Sequence, residues 1–291
     1  MAGKSQGRAP AGSQSIRRAM EVLSFVAAGK ENGRRLTDVS NALGLNIATA
    51  HRLLNTLVFL GLLLQRSHDK SFVLGPELVS LAAMGHSHFI LRDVFKDPMA
   101  RIAAISEDTV FLQVLSGSET VCVARTTGSF AVPALELDVG TRLPVGVGSA
   151  GLAMLAAMPD DQCEAVLQEC SPHYNSLGLK PSVVRQSIVT SRTLGYGYQV
   201  GQLTKEVAGV GVCFLDDNGI AAAVSVTALS QRLDRKRAKM IVSLIRDECS
   251  GIPGLSVFPA VLPGPASTGR LQPSQNSRVV AFKGRRPGRR S

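Results

Sequence analysis

The stretch from Leu36 to Leu64, LTDVSNALGLNIATAHRLLNTLVFLGLLL, leaves the chain few choices. A short apolar-periodic segment, a glycine at position 44 and a longer periodic segment that stops at Gly61 predict a helix, a tight turn and a second helix. Thr37 and Asn46 stand where a side-chain oxygen accepts from an otherwise unpaired first-turn amide, so Thr37 is expected to cap the first helix and Asn46 the second. Along the second helix Ile47, Ala50, Leu53, Leu54, Leu57 and Val58 recur at helical spacing and predict a buried face. Ala48, Thr49, Arg52, Asn55 and Thr56 are left outward, with His51 at the border. Such a free face, with hydroxyl, amide and guanidinium groups and no carboxylate, suits a DNA major groove. An amphipathic helix pair inside an enzyme is the plainer alternative for this stretch taken alone.

Residues 62 to 74, LLLQRSHDKSFVL, read as two short strands around a turn at Ser67 to Lys70, a wing with Arg66, His68 and Lys70 at or near its tip. Basic hairpins beside a recognition helix add affinity through the phosphate backbone and little sequence choice. The candidate DNA contacts are therefore Thr37, Thr49, His51, Arg52, Asn55, Thr56, Arg66, His68 and Lys70.

A chain of 291 residues with 45% hydrophobic content suits two domains, and no apolar run approaches membrane-spanning length. The five cysteines form no CxxC or Cys/His cluster, which argues against structural zinc, and the N-terminus shows no apolar signal core. A reducing cytoplasm is the expected compartment. Cys122, Cys163, Cys170, Cys213 and Cys249 are expected to behave as small buried hydrophobes. Of the net charge of +10, seven cations lie beyond residue 251 in a stretch free of Asp and Glu and rich in Pro, Gly and Ser.

The expected organisation is a flexible basic lead-in over 1–13, a winged helix-turn-helix domain over 14–75, a linker and dimerisation helix over 76–95, a mixed domain over 96–252 and a disordered basic tail over 253–291. The linker stretch PELVSLAAMGH carries Leu78, Val79, Leu81 and Ala82 with no adjacent strand to cover them. A dimer built there would match two-fold DNA sites. A further helix is expected from about Leu91 to Ser106, kinked or delayed by Pro98. Beyond it TVFLQVL and TVCVA flank the turn SGSE, and VAGVGVCFL and IAAAVSVTAL flank a turn at Asp216 to Gly219, giving four strands of one sheet. Helices are expected at Ser149 to Met158, Asp160 to Glu169, Pro181 to Leu194 and Asp234 to Ser250, so the fold class is α+β.

Pro144 to Gly151 is the most chemically suggestive part of that domain. Gly146, Gly148, Ser149, Ala150 and Gly151 place small residues just before a helix, where backbone amides approach a ligand closely and negative charge is favoured. A carboxylate would fit there.

The runs QSIRRAMEVLSFVA, LTDVSNALGL, ATAHRLLNTLVFLGLL and FVLGPELVSLA, followed by VGTRLPVGVGSAGLAML, RTLGYGYQVGQ and VCFLDDNGIAAAVSVTAL, resemble the IclR family of bacterial transcriptional regulators across residues 14 to 250. The resemblance implies a winged helix-turn-helix that reads a double-stranded operator and a GAF-like domain that binds a small organic acid, an aromatic one being the first candidate. It implies a dimer or a dimer of dimers, with no cofactor and no membrane. Carried over by position, Gly148, Ser149 and Ala150 fall on the loop that holds the effector's acid group, and Leu135 on a pocket-lining position. Gln199 falls where some members have an acid, and Gly209, Ser225 and Thr227 on the two strands of the far wall. Departures bear on effector identity: Gly146 replaces a frequent histidine, Leu152 a frequent lysine, Gln202 a frequent acid and Gly209 a position that is polar or cysteine elsewhere. Ala48 replaces a usual serine at the DNA end. An enzyme is disfavoured, because no GxSxG, HExxH or paired-carboxylate setting accompanies the five histidines. The reading that competes with a ligand-modulated regulator is a constitutive architectural DNA-binding protein whose C-terminal domain only oligomerises.

Overall fold

The computed structural model describes residues 13–84, 88–130, 137–217 and 219–258. The N-terminal part opens with α1 (Gln14–Ala27), a single 3-10 turn (Lys30–Asn32), α2 (Leu36–Ala42) and α3 (Ile47–Phe59), followed by β1 (Leu63–Gln65) and β2 (Phe72–Leu74). Its core is Val22, Val26, Val39, Ala50, Leu54, Leu57, Leu63 and Phe72, one face of each helix closed by the hairpin. Gly44 turns the chain between α2 and α3 with φ +60°. Asn46 caps α3 as expected, its Oδ1 accepting from the Thr49 amide at 2.7 Å.

Two expectations in this part are corrected. Thr37 does not cap α2: it lies one residue inside the helix, Arg35 stands at the cap, and the Asp38 carboxylate reaches back to accept from the Arg35 amide at 2.8 Å. An acid three residues into a helix competes well for that amide because it is ionised and meets the positive end of the helix. Ile47 does not join the core. As the first residue of α3 it precedes the turn that α2 covers, and it is 53% exposed.

Then come α4 (Glu77–Met84), α5 (His88–Val94) and α6 (Lys96–Ser106). The expected helix around Pro98 is split in two, and Pro98 falls in the first turn of α6, where its missing N–H costs no hydrogen bond. The C-terminal sheet is antiparallel and holds β3 (Thr109–Ser116), β4 (Glu119–Thr126), β5 (Arg142–Pro144), β6 (Gly197–Val200), β7 (Val207–Asp216), β8 (Gly219–Leu229) and β9 (Ser256–Val257). Spatial order is β5-β4-β3-β8-β7-β6, with β9 against β7. The four expected strands form its centre, and the three short ones carried too few residues to show alternation. β9 also corrects the expected tail: residues 256 and 257 pair with Leu215 and Phe214, and Phe258 is buried. The expected lead-in through residue 12 and the tail from residue 259 lie outside the described residues.

Both sheet faces are covered. On one side α6 and α10 (Arg235–Cys249, capped by Asp234) pack Met99, Ile102, Ile241 and Ile245 against Val110, Leu112, Val210, Val212, Val224 and Val226. On the other lie α7 (Gly148–Ala157), α8 (Asp160–Ser176) and α9 (Pro181–Leu194). α8 runs past the expected end at Glu169, because Leu167, Cys170 and Tyr174 continue its buried stripe through Pro172.

Three glycines set how α7 meets the sheet. A methyl group at Gly197 would stand 1.9 Å from the Ser149 carbonyl oxygen, and one at Gly211 would stand 2.7 Å from the same atom. At Gly209 it would meet Ser149 Oγ at 2.7 Å. The N-terminal turn of α7 therefore rests backbone to backbone on β6 and β7.

Candidate functional site

On the N-terminal part, Ala48, His51, Arg52, Asn55 and Thr56 are exposed along one face of α3, and Thr49 is half-buried beside them. Asn55 Nδ2 lies 3.2 Å from His51 Nε2, and Thr56 Oγ1 donates to the Arg52 carbonyl at 2.8 Å, so Thr56 has its proton committed within the helix. The Arg52 guanidinium reaches outward without a carboxylate on the same helix. Phe59, 87% exposed, ends this face.

The wing turn is closed by Asp69, which accepts from the Ser71 amide at 3.0 Å and its hydroxyl at 2.7 Å. Those bonds, aided by His68 and Arg66, hold the Asp69 carboxyl below the usual range. It is thus fully ionised but occupied. His68 and Lys70 are exposed at the tip and Arg66 is half-buried at its base. Thr37 is exposed at the start of α2.

In the C-terminal domain one sheet face is polar where strand alternation alone would make it apolar. Thr109, Thr227, Gly209 and Gln199 form one cross-strand row, and Phe111, Ser225, Gly211 and Gly197 the next. Above this patch lies a cavity of about 670 Å³, lined by Phe111, Gln113, Leu143, Ser149, Gln199, Val207, Ser225 and Thr227 among others. Five of the eight residues expected at an effector site, Gly148, Ser149, Gln199, Ser225 and Thr227, are brought together on its walls. Ala150 is buried behind the first turn of α7, and Gly209 lies beneath Ser149 as a spacer. Leu135 lies outside the described residues. Phe111, Gln113, Thr141, Leu143 and Val207 were not anticipated, because nothing local distinguishes them from core or strand residues.

The start of α7 faces the cavity. Gly148, at φ +76°, lets the chain turn into the helix, and its amide donates to Gln202 Oε1 at 2.7 Å. Gln202 Nε2 in turn donates to the Gly146 carbonyl at 2.9 Å, and the Gln202 amide donates to Gln199 Oε1 at 3.2 Å. A glutamine thus bridges the glycine loop. Among the described residues that line it there is no Lys, Arg, His, Asp or Glu. The helix start and neutral donors are what this site offers an anion, which suits a single carboxylate better than a polyanion.

All five cysteines are buried free thiols, and burial pushes Cys122 up to about 11 and Cys213 and Cys249 up to about 12. They are neutral at physiological pH and poor nucleophiles. Among the described residues no group of three or more His, Cys, Asp or Glu converges as a metal site, and no helix is long and apolar enough to cross a membrane.

Comparison with known proteins places both halves. A family model described as IclR helix-turn-helix domain matches residues 15–67, and one described as Bacterial transcriptional regulator IclR C-terminal matches residues 85–252. The chain is 25% identical over 226 residues to the HTH-type transcriptional regulator XynR of Escherichia coli, covering 76% of this chain and 88% of that protein. It is 27% identical over 243 residues to the glycerol operon regulatory protein of Streptomyces coelicolor, covering 80% and 92%. Among solved structures, an IclR homologue from Microbacterium hydrocarbonoxydans in complex with 4-hydroxybenzoate superposes with a TM-score of 0.67 at 24% identity, covering 80% of this chain and 97% of that one.

Proposed function

The chain belongs to the IclR family of bacterial transcriptional regulators, and from that premise we propose that it binds a two-fold DNA operator as a dimer and that a small organic acid in the C-terminal cavity sets the affinity. Arg52, Asn55, Thr49 and His51 present donors and acceptors to base edges, Thr37 and Thr56 lie alongside, and Arg66, His68 and Lys70 of the wing meet phosphate. Pairing of two chains is supported by α4, whose Val79, Leu81 and Met84 are more than half exposed in the single chain. A soluble regulator of this kind works in the cytoplasm and catalyses nothing.

One observation carries the sensor reading: the cavity joins a helix N-terminus to the polar sheet face that holds Gln199, Ser225 and Thr227. The acid seats against Ser149 and the first turn of α7, and the sheet hydroxyls orient the rest. That a homologue of the same fold was solved with 4-hydroxybenzoate supports an aromatic acid among the candidates. Coupling between sites reaches only the ligand's differential affinity for the two conformers, typically about 1–3 kcal/mol.

The test is binding to the DNA upstream of the protein's own gene at fixed salt, with and without a panel of aromatic and aliphatic acids. Specific binding that shifts with one acid supports the reading. Specific binding indifferent to every acid favours the architectural alternative.

A further inference from the structure

The wall of the cavity away from α7 holds Gln113, a glutamine only 4% exposed in the middle of β3. It stands at the register shift where β3 changes its pairing with β4, and its neighbours on the lining are Phe111 and Leu143. An amide in such a place needs partners, and one end of it has them. Thr120 Oγ1 donates to the Leu143 carbonyl at 3.4 Å, and Gln113 Nε2 lies 3.4 Å from the same hydroxyl oxygen. The threonine has one proton, and the Leu143 carbonyl can only accept it. Thr120 must then accept from Gln113, which fixes the amide with its NH2 group toward Thr120 and its Oε1 away from it. Among the described residues nothing donates to that oxygen.

We propose that Gln113 Oε1 is a specificity element, and that the effector is a one-ring carboxylic acid carrying a hydrogen-bond donor, a hydroxyl or amine, at the end opposite its acid. The proposal rests on the reading of the α7 start as the acid seat. Ladder geometry sets the span: Gln113 pairs with Ala223 and Ala223 with Cys213, while α7 meets β7 at Gly211. Gln113 is thus two strands across and two residues along from the seat, roughly 10 Å by 7 Å. One ring with polar groups at opposite ends, plus a hydrogen bond at each, fills that distance, and a short aliphatic acid does not. A site built to bond a donor rejects the analogue that lacks it more strongly than an apolar pocket rejects a change of size.

The experiment is calorimetric titration of the full-length protein with benzoate, 4-hydroxybenzoate, 4-aminobenzoate and the acid-free phenol. Wild type is expected to bind 4-hydroxybenzoate or 4-aminobenzoate at least tenfold more tightly than benzoate. Gln113→Leu should bring the three acids within about threefold of one another. Thr120→Val, which releases the glutamine amide to turn over, should lower the preference with Gln113 intact. If the acid seat is elsewhere but Gln113 acts as stated, phenol binds, gains nothing from an added acid, and loses its binding in Gln113→Leu. Equal wild-type affinity for benzoate and its hydroxylated analogue overturns the proposal whatever the variants do, as does a preference that survives Gln113→Leu, or failure of all four probes to bind.

Discussion

Lys30, in the 3-10 turn after α1, donates to the carboxylate of Asp138, which follows the cavity-lining Leu137. Arg125 of β4 lies 3.9 Å from the same carboxylate. The DNA-binding half and the rim of the cavity therefore share one acid. Both side chains of the Lys30 pair are well exposed, so the pair adds little to folding. Its place is what matters: it ties the helix-turn-helix part to the rim of the cavity.

Asp138→Asn is accordingly expected to leave the melting temperature near wild type and to shrink the effector's influence on operator affinity. The readout is the ratio of operator Kd with and without effector, and an unchanged ratio would take this pair out of the coupling route. The bond to Lys30, above all, holds the Asp138 carboxyl below its usual range. A depressed carboxylate contributes fully above its unfolded pKa and loses its contribution as pH falls through the folded one. The link is thus intact at neutral pH and opens only in acid.

Arg52→Ala is expected to weaken specific operator binding by roughly 1–3 kcal/mol, the worth of a good base contact, with effector binding unchanged. Lys70→Ala should weaken specific and nonspecific DNA alike and lower the salt dependence by about one counterion. Titrations at several salt concentrations separate the two. Loss of effector binding in Arg52→Ala would show that a fold residue had been removed.

Gly211→Ala and Gly209→Ala should part company. At Gly211 the new methyl meets the Ser149 carbonyl at 2.7 Å, backbone against backbone, and overpacking of that kind costs about 1–3 kcal/mol. At Gly209 it meets the Ser149 hydroxyl, which can rotate away. Thermal melting should register the first substitution and acid binding the second.

Tyr174→Phe tests the support under the glycine loop. The buried Tyr174 hydroxyl donates to the Val145 carbonyl, immediately before Gly146, and burial pushes its phenol well above the ordinary range, so the bond holds at any physiological pH. Its loss leaves a buried carbonyl unpaired, at about 1–3 kcal/mol in a denaturant midpoint series. Acid affinity should fall with it.

The helix-turn-helix was legible because its signals are local. Asn46, Gly44 and the α3 periodicity each act within one turn of chain, and they put the turn and the outward face of Arg52, Asn55 and Thr56 where the structure has them. Thr37 misled because Asp38, one residue on, offers the helix a charged acceptor in place of a hydroxyl. In the C-terminal domain the glycine loop was legible from its run of small residues before a helix, and the serine and threonine of β8 from the family resemblance, and they do converge. Gln113 was not, because a lone glutamine between Leu112 and Val114 reads as ordinary strand alternation until β4 and β5 bring Thr120 and Leu143 beside it. Gln202 stood out only as a departure from the family, and its bridging role was hidden for a similar reason: the bridge to Gly146 and Gly148 spans more than fifty residues.

The glycines beneath α7 also decide which side of the sensor can respond. With the Ser149 carbonyl pressed against Gly197 and Gly211, the first turn of α7 meets the sheet there backbone to backbone, with no room to give. The cavity then works like a calliper with one jaw clamped to the frame. The opposite jaw, residues 137–143, carries Asp138, the residue that holds Lys30.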